Sequence, residues 1–95
     1  MPNRKSLLDY NLADIFKSLG NPTRLLIVTT LFNHPKRSMT VSQIKDTLIL
    51  PQSLVSKSLS RLKSSNVVSS ERIGINMYYT LDNQEVMTIL RTLEI

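Results

Sequence analysis

The hydrophobic pattern between residues 50 and 81 changes from the period of a helix to that of a strand. Its first part places apolar residues at Leu54, Val55, Leu59 and Leu62, a spacing that predicts one amphipathic helix. The opposite face carries short hydrogen-bonding side chains and cations, namely Gln52, Ser53, Ser56, Lys57, Ser60, Arg61 and Lys63. This mixture suits base edges in a major groove bordered by phosphates, although a solvated surface helix has the same pattern.

Strand-forming residues follow this helix on both sides of a glycine. The stretches VVSSERI and MYYTL predict two strands, and IGIN between them places a turn at Gly74. Arg72 and Asn76 flank the tip of this hairpin, from which they could reach a phosphate or a minor groove. An amphipathic helix that runs into a hairpin is the order of a winged helix-turn-helix, in which the hairpin is the wing.

Apolar spacing predicts two helices near the N-terminus. The first covers about 6–19 and stops at Gly20, which supplies a left-handed end. The second begins with Asn21 as its cap and Pro22 in its first position, where the missing N–H costs nothing.

Two further helices and the bounds of the amphipathic helix follow from capping residues. Thr40 and Gln43 can form a capping box that opens a short third helix. Pro51 is expected to start the amphipathic helix, and Asn66, which tolerates the left-handed conformation, to follow its end. The last helix covers about 83–95.

A chain of 95 residues has room for one small domain. The predicted fold is mainly α with a small β-hairpin: four helices, two strands and a final helix, as a winged helix-turn-helix. Within this single domain, 1–95, the helix-turn-helix covers about 40–64 and the wing about 67–81.

Positive charge is concentrated in the same half of the chain. The net charge is +5, and the stretch from 34 to 72 alone accounts for it, with seven basic and two acidic residues. A polyanion is the natural partner, because neutralising phosphates releases condensed counterions. Lys36 and Arg37, in the loop before the third helix, either contact the DNA backbone or stay in solvent, and we favour the contact.

Composition argues against several other classes of protein. The chain has no cysteine and a single histidine, His34, so thiolate and histidine-cluster metal sites are excluded. Catalysis also finds no support, because no histidine stands near a nucleophile and no glycine loop cradles a phosphate. Nor is there a membrane span or a signal peptide, so we expect a cytoplasmic protein without a cofactor.

Three stretches, FKSLGNPTRLLIV, LPQSLVSKSLSRLKSSNVV and IGINMYYTL, occur in an order that resembles the ArsR/SmtB family of bacterial winged-helix repressors. The resemblance implies a homodimer that binds a palindromic operator in double-stranded DNA and represses transcription, often of its own gene. By the family pattern, Gln52, Ser53, Ser56 and Lys57 fall on the base-reading positions, and Arg72, Gly74 and Asn76 fall on the wing.

The sequence departs from the metal sensors of that family. The third helix, VSQIKDTL, lacks their cysteine pair. The last, DNQEVMTILRTLEI, has no histidine, and the carboxylates near its start are those of Asp82 and Glu85. Carboxylates at the start of a helix are more simply explained by its dipole, so we expect no metal. A small-molecule inducer, a protein antagonist or no inducer at all remain open.

Surplus apolar side chains on the first and last helices predict the homodimer. Packing these two helices against their symmetry mates would bury that surplus. It would also set the two copies of the amphipathic helix, which are the recognition helices, about 34 Å apart. The expected interface residues are Leu8, Leu12, Ile15, Val86, Ile89, Leu90 and Leu93.

A protein-binding winged helix is the alternative, in which the dimer face or the wing engages another regulator. The basis for this alternative is that Ile73 and Ile75 are apolar although the tip of the wing should face solvent. The simpler interpretation is that these isoleucines pack on the body of the domain or on a partner.

Overall fold

The computed structural model describes residues 4–93, with side chains from Leu12 onward. Five helices and three strands follow one another along the chain, in the order α1 (Arg4–Leu19), α2 (Pro22–Asn33), β1 (Ser38–Thr40), α3 (Val41–Leu48), α4 (Gln52–Ser64), β2 (Val68–Ile73), β3 (Asn76–Leu81) and α5 (Gln84–Thr92). The fold is a winged helix-turn-helix, as the sequence predicts. None of the described helices is both long and apolar enough to cross a membrane.

The predicted caps form where the sequence places them. Asn21 Oδ1 accepts from the Arg24 N–H at 3.0 Å, which fixes the start of α2. Thr40 and Gln43 make the reciprocal capping box, with distances of 3.1 and 2.9 Å. Pro51 precedes α4 by one residue instead of opening it, because its ψ of 140° is extended.

The sheet has one more strand than the sequence predicts. β1 pairs antiparallel with β3, so β3 is central and the strand order is β1-β3-β2. The Thr80 hydroxyl donates to the Ser38 hydroxyl across this pair at 2.9 Å, and the Leu81 N–H donates to the Arg37 carbonyl at 2.9 Å. Three residues are too few to show an alternating pattern, and only the pairing with β3 makes them a strand.

The core lies between the helices and one face of the sheet. Its most deeply buried apolar side chains come from every helix after α1 and from β3, with Ile27, Val28, Leu31, Ile44, Val55, Leu59, Leu62, Leu81, Val86 and Leu90 as its main members. Tyr79 also packs against this core, as expected for one of two tyrosines that alternate across a strand. The same core therefore holds both α4 and the wing.

Candidate nucleic-acid interface

The recognition helix α4 buries one face and leaves the other in solvent. Val55, Ser58, Leu59 and Leu62 form the buried face, at i, i+3, i+4 and i+7. Leu54, expected in this stripe, is 37 % exposed. One position of this buried face is occupied by the polar Ser58. The apolar residues alone therefore do not show the full helical period in the sequence.

Most of the predicted base-reading side chains share the opposite, open face of α4. Exposed on this helix are Gln52, Ser53, Lys57, Ser60 and Lys63, whereas Ser56 is half-buried. Because the backbone of α4 is fixed by the core, these side chains project from a rigid support. Such a support is what base recognition in a major groove requires.

The turn that joins α3 to α4 contains a strained and exposed isoleucine. Ile49 has a φ of 55° and is 88 % exposed. The Leu50 N–H donates to the Lys45 carbonyl at 3.2 Å, which closes the end of α3. A β-branched residue in the left-handed region is unusual, so this turn is held by its surroundings.

Arg61 differs from the other cations of α4, because it is paired within the chain. Its Nη2 lies 3.2 Å from Asp14 Oδ1 on α1 and its Nη1 donates to the Ser64 hydroxyl at 3.4 Å. The Arg61 side chain is 30 % exposed. No local pattern in the sequence indicates this pairing, since the two partners are 47 residues apart.

The wing ends in a two-residue turn. Ile73 pairs with Asn76, and Gly74 between them has a φ of 64°. A positive φ at the first central residue alone matches a type II′ turn, which has glycine in that position. Arg72, Gly74 and Asn76 are all exposed, as the prediction for the wing requires.

The isoleucines of the wing tip do not pack on the body of the domain. Ile73 is 55 % exposed and Ile75 is 92 % exposed. The expectation of contact with the body is therefore wrong. Contact with a partner stays a prediction.

Lys36 and Arg37 lie at the end of the sheet away from the wing tip, because the Arg37 carbonyl accepts from Leu81 at the end of β3. Lys36 is exposed. The guanidinium of Arg37 instead lies over the ring of Phe32, 5.3 Å from its centroid, with a buried Nε that has no partner in the described part of the chain. The fold thus already uses Arg37, and its DNA contact stays a prediction.

Three residues expected in a dimer interface belong to the core of the single chain. Val86, Leu90 and Ile15 are only 0 %, 1 % and 6 % exposed. They have almost no surface left for a second chain, and this part of the prediction is corrected. Helical period identifies the apolar stripes of α1 and α5, but it cannot tell which neighbour each stripe meets.

Apolar surface does remain along α1 and α5. Leu12 and Ile89 are half-buried and line one groove between these helices, and Leu93 is 61 % exposed. Phe16, which the predicted interface omits although it lies one turn after Leu12, is 55 % exposed. The side chain of Leu8 lies outside the described part of the chain.

One of the two carboxylates near the start of α5, that of Asp82, has a structural partner. Asp82 Oδ2 accepts from the Ser69 hydroxyl at 2.7 Å, and Asn83 Oδ1 caps α5 by accepting from the Val86 N–H at 3.1 Å. Among the described residues, no three histidine or carboxylate side chains come together as a metal site would require.

The sequence matches one known family of regulatory proteins. Residues 21–70, from α2 to the first wing strand, match the sequence profile described as bacterial regulatory protein, ArsR family. The transcriptional repressor PagR of Bacillus anthracis is 36 % identical over 81 residues, which are 85 % of this chain and 79 % of that protein.

Solved structures have the same architecture. The crystal structure of PagR superposes with a TM-score of 0.84 at 34 % identity and covers 93 % of this chain and 98 % of that one. NolR from Sinorhizobium fredii gives 0.79 at 31 % identity, with 99 % and 91 % covered. A homodimeric winged helix-turn-helix DNA-binding domain from Mycobacterium bovis gives 0.82 at 26 % identity, with 99 % and 84 % covered.

Proposed function

We propose that this chain, which belongs to the ArsR family of bacterial regulatory proteins and is a DNA-binding transcriptional regulator, is a homodimeric repressor of a palindromic operator. The observation that carries the proposal is the open face of α4. It presents Gln52, Ser53 and Lys57 on a helix whose other face is locked in the core. Amide and hydroxyl groups match the donors and acceptors of base edges in a major groove, and an ammonium group can bind a base or a neighbouring phosphate.

Side-chain chemistry suggests which residues of this surface bind bases and which bind phosphates. Gln52, Ser53 and Ser56 are short and neutral, and we assign them to bases near the start of α4. Lys63 at its end, Lys36 before β1 and Arg72 in the wing are assigned to phosphates, which position the protein on the duplex without reading its sequence. Gly74 and Asn76 bring the wing tip to the adjacent minor groove.

A homodimer explains the apolar surface of α1 and α5. Leu12 and Ile89 line one groove, and the exposed Phe16 and Leu93 lie one helical turn further along α1 and α5. We call these four residues the α1–α5 patch. Burying it against a symmetry mate would remove large apolar side chains from water at roughly 25 cal/mol per Å². A two-fold arrangement would also present two copies of α4 to successive major grooves of a palindrome.

Regulation by this protein is proposed to be autogenous and independent of metal. Such a repressor works in the cytoplasm, where bacterial DNA lies. Three alternatives stay open for the inducing signal: a small molecule at the dimer interface, a protein antagonist, or no inducer at all. A role as a protein-binding module alone is not favoured, because its relatives are named as transcriptional repressors and regulators.

Fluorescence anisotropy tests the proposal. The purified protein is titrated into labelled DNA from upstream of its own gene and into a scrambled duplex of equal length and composition, each at two salt concentrations. We expect tighter binding to the upstream DNA, with a steep loss of affinity as salt rises. Equal affinity for both duplexes would contradict an autogenous operator, and no binding to either would overturn the function as a whole.

A further inference from the structure

A cleft of about 300 Å³ lies between the start of α2 and one edge of α4. Three of its side chains are cations and the rest are neutral, and its lining consists of Asn21, Thr23, Arg24, Leu54, Lys57, Ser58 and Arg61. Among the described residues, one of these three cations is paired with a carboxylate: Arg61 with Asp14 of α1. The cleft therefore favours an anion.

One free backbone donor at the start of α2 strengthens this preference. The Arg24 N–H is capped by Asn21 Oδ1, and the Leu25 N–H donates to the Asn21 carbonyl at 2.9 Å. Pro22 has no N–H, so the first-turn donor left over among the described residues is that of Thr23. A helix N-terminus with an open N–H favours a negative charge.

Ser58 adds a hydroxyl group to the wall of the cleft. It is only 6 % exposed. An oxyanion in the cleft would accept the hydrogen bond of this hydroxyl.

The cations around the cleft are held in place. Arg24 Nε donates to the Ser18 carbonyl at 2.6 Å and its Nη2 to the Lys17 carbonyl at 3.5 Å, which anchors Arg24 on the end of α1. Arg61 is anchored by Asp14 on the other side. Lys57 is exposed, so its long side chain can close over a bound group.

We infer that this cleft binds one backbone phosphate of each operator half-site through the Thr23 N–H, the Ser58 hydroxyl and the Lys57 ammonium. The inference rests on the proposed DNA binding and extends it to the start of α2. A helix in a major groove has phosphates along both edges, and the cleft lies on one edge of α4. Lys57 is thereby assigned to the backbone instead of to a base, and Leu54 faces the neighbouring sugar.

Duplexes in which single phosphates are made uncharged test this inference. Wild-type protein and Ser58→Ala are titrated by anisotropy into duplexes in which single phosphates are replaced, one at a time, by uncharged methylphosphonates. In the wild type, one position in each half-site should weaken binding by on the order of tenfold. At that same position Ser58→Ala should lose markedly less affinity, because the hydroxyl that binds the phosphate is already absent.

A charge variant provides a second measurement that does not depend on a buried substitution. Lys57→Gln should flatten the slope of log affinity against log salt by about 0.9 for each phosphate that the Lys57 ammonium neutralises in the wild type. Arg91→Gln is the control, because Arg91 is equally a single exposed cation but lies on α5. Circular dichroism and urea titration confirm that all variants fold.

Two results would overturn the inference alone: equal slopes for Lys57→Gln and Arg91→Gln, or the same phosphate sensitivity in Ser58→Ala as in the wild type. If the wild-type protein binds no duplex at any salt concentration, the proposed function fails and this inference fails with it.

Discussion

Asp14 Oδ1 and Arg61 Nη2, 3.2 Å apart, join the helix that carries the proposed dimer contacts to the helix that carries the proposed DNA contacts. The two side chains are 46 % and 30 % exposed, so solvent screens the pair and it contributes about 1 kcal/mol or less to stability. Its larger effect is on the DNA surface, where Asp14 neutralises one of the cations of α4.

Replacing Asp14 with asparagine is therefore expected to strengthen DNA binding. Asp14→Asn removes a negative charge and releases the Arg61 guanidinium toward the duplex, so affinity should rise severalfold for operator and scrambled DNA alike. The salt slope should steepen by up to about 0.9 for each Arg61 that reaches a phosphate. Anisotropy at several salt concentrations measures both quantities.

Glu85→Gln is the matched control, because it also removes one carboxylate but from α5. An equal gain in affinity from both variants would show that total charge, and not the release of Arg61, is responsible. A loss of affinity in Asp14→Asn would show that the pair positions α4 for binding.

Gln52 and Lys63 separate base reading from phosphate contact. Gln52→Ala should reduce the discrimination between operator and scrambled DNA by about 1–3 kcal/mol, because it removes an amide from base edges. Lys63→Ala should weaken binding to both duplexes in proportion and flatten the salt slope. The same loss of discrimination from both substitutions would refute this division.

The sequence predicts local structure well where chemistry acts within a few residues. The caps at Asn21 and Thr40, the left-handed Asn66 and the turn at Gly74 all depend on neighbours in the chain. Each can therefore be predicted without knowledge of any tertiary contact. The open face of α4 is predictable for the same reason, since a helix repeats its faces every 3.6 residues.

Contacts between distant residues are not predictable in this way. β1 exists through its pairing with β3, and Arg61 meets Asp14 only because α1 crosses α4. The stripe on α5 is visible in the sequence, yet Val86 and Leu90 face the core of their own chain. A period shows that a face is buried, but it carries no information on which surface buries it.

The α1–α5 patch can be tested at Phe16, which is 55 % exposed in the single chain. Phe16→Ser should shift the protein from dimer to monomer in sedimentation analysis, because it removes an aromatic ring from the proposed interface while leaving the core intact. Deleting α5 would be a poor test, because it also removes Val86, Met87 and Leu90 from the core.

Ile73→Ser is the control for this experiment, since Ile73 is also 55 % exposed but lies on the wing. It should leave the dimer unchanged. If Phe16→Ser remains a dimer and Ile73→Ser becomes a monomer, the wing forms the interface instead and the α1–α5 patch needs another explanation.

Strain at Ile49 predicts a stabilising substitution. An L-residue in the left-handed region costs about 1–2 kcal/mol, and asparagine tolerates that region better than a β-branched residue does. Ile49→Asn should raise the Tm by about 4–8 °C for each kcal/mol of strain that it relieves. Ile75→Asn, at an exposed isoleucine whose φ is not positive, should leave the Tm nearly unchanged.

Gly74 sets the shape of the wing through its conformation and not through lack of space. Its φ is 64°, and a Cβ added there would meet nothing within 4 Å. Gly74→Ala should therefore destabilise the hairpin by about 1 kcal/mol from backbone strain alone, and Gly74→Asn should recover part of that loss. Urea unfolding at a fixed protomer concentration measures the difference, because dimerisation makes stability depend on concentration. If Gly74→Ala is as stable as the wild type, the turn does not require a residue with positive φ. If Gly74→Ala weakens DNA binding while Gly74→Asn restores it, the geometry of the wing tip contributes to operator affinity.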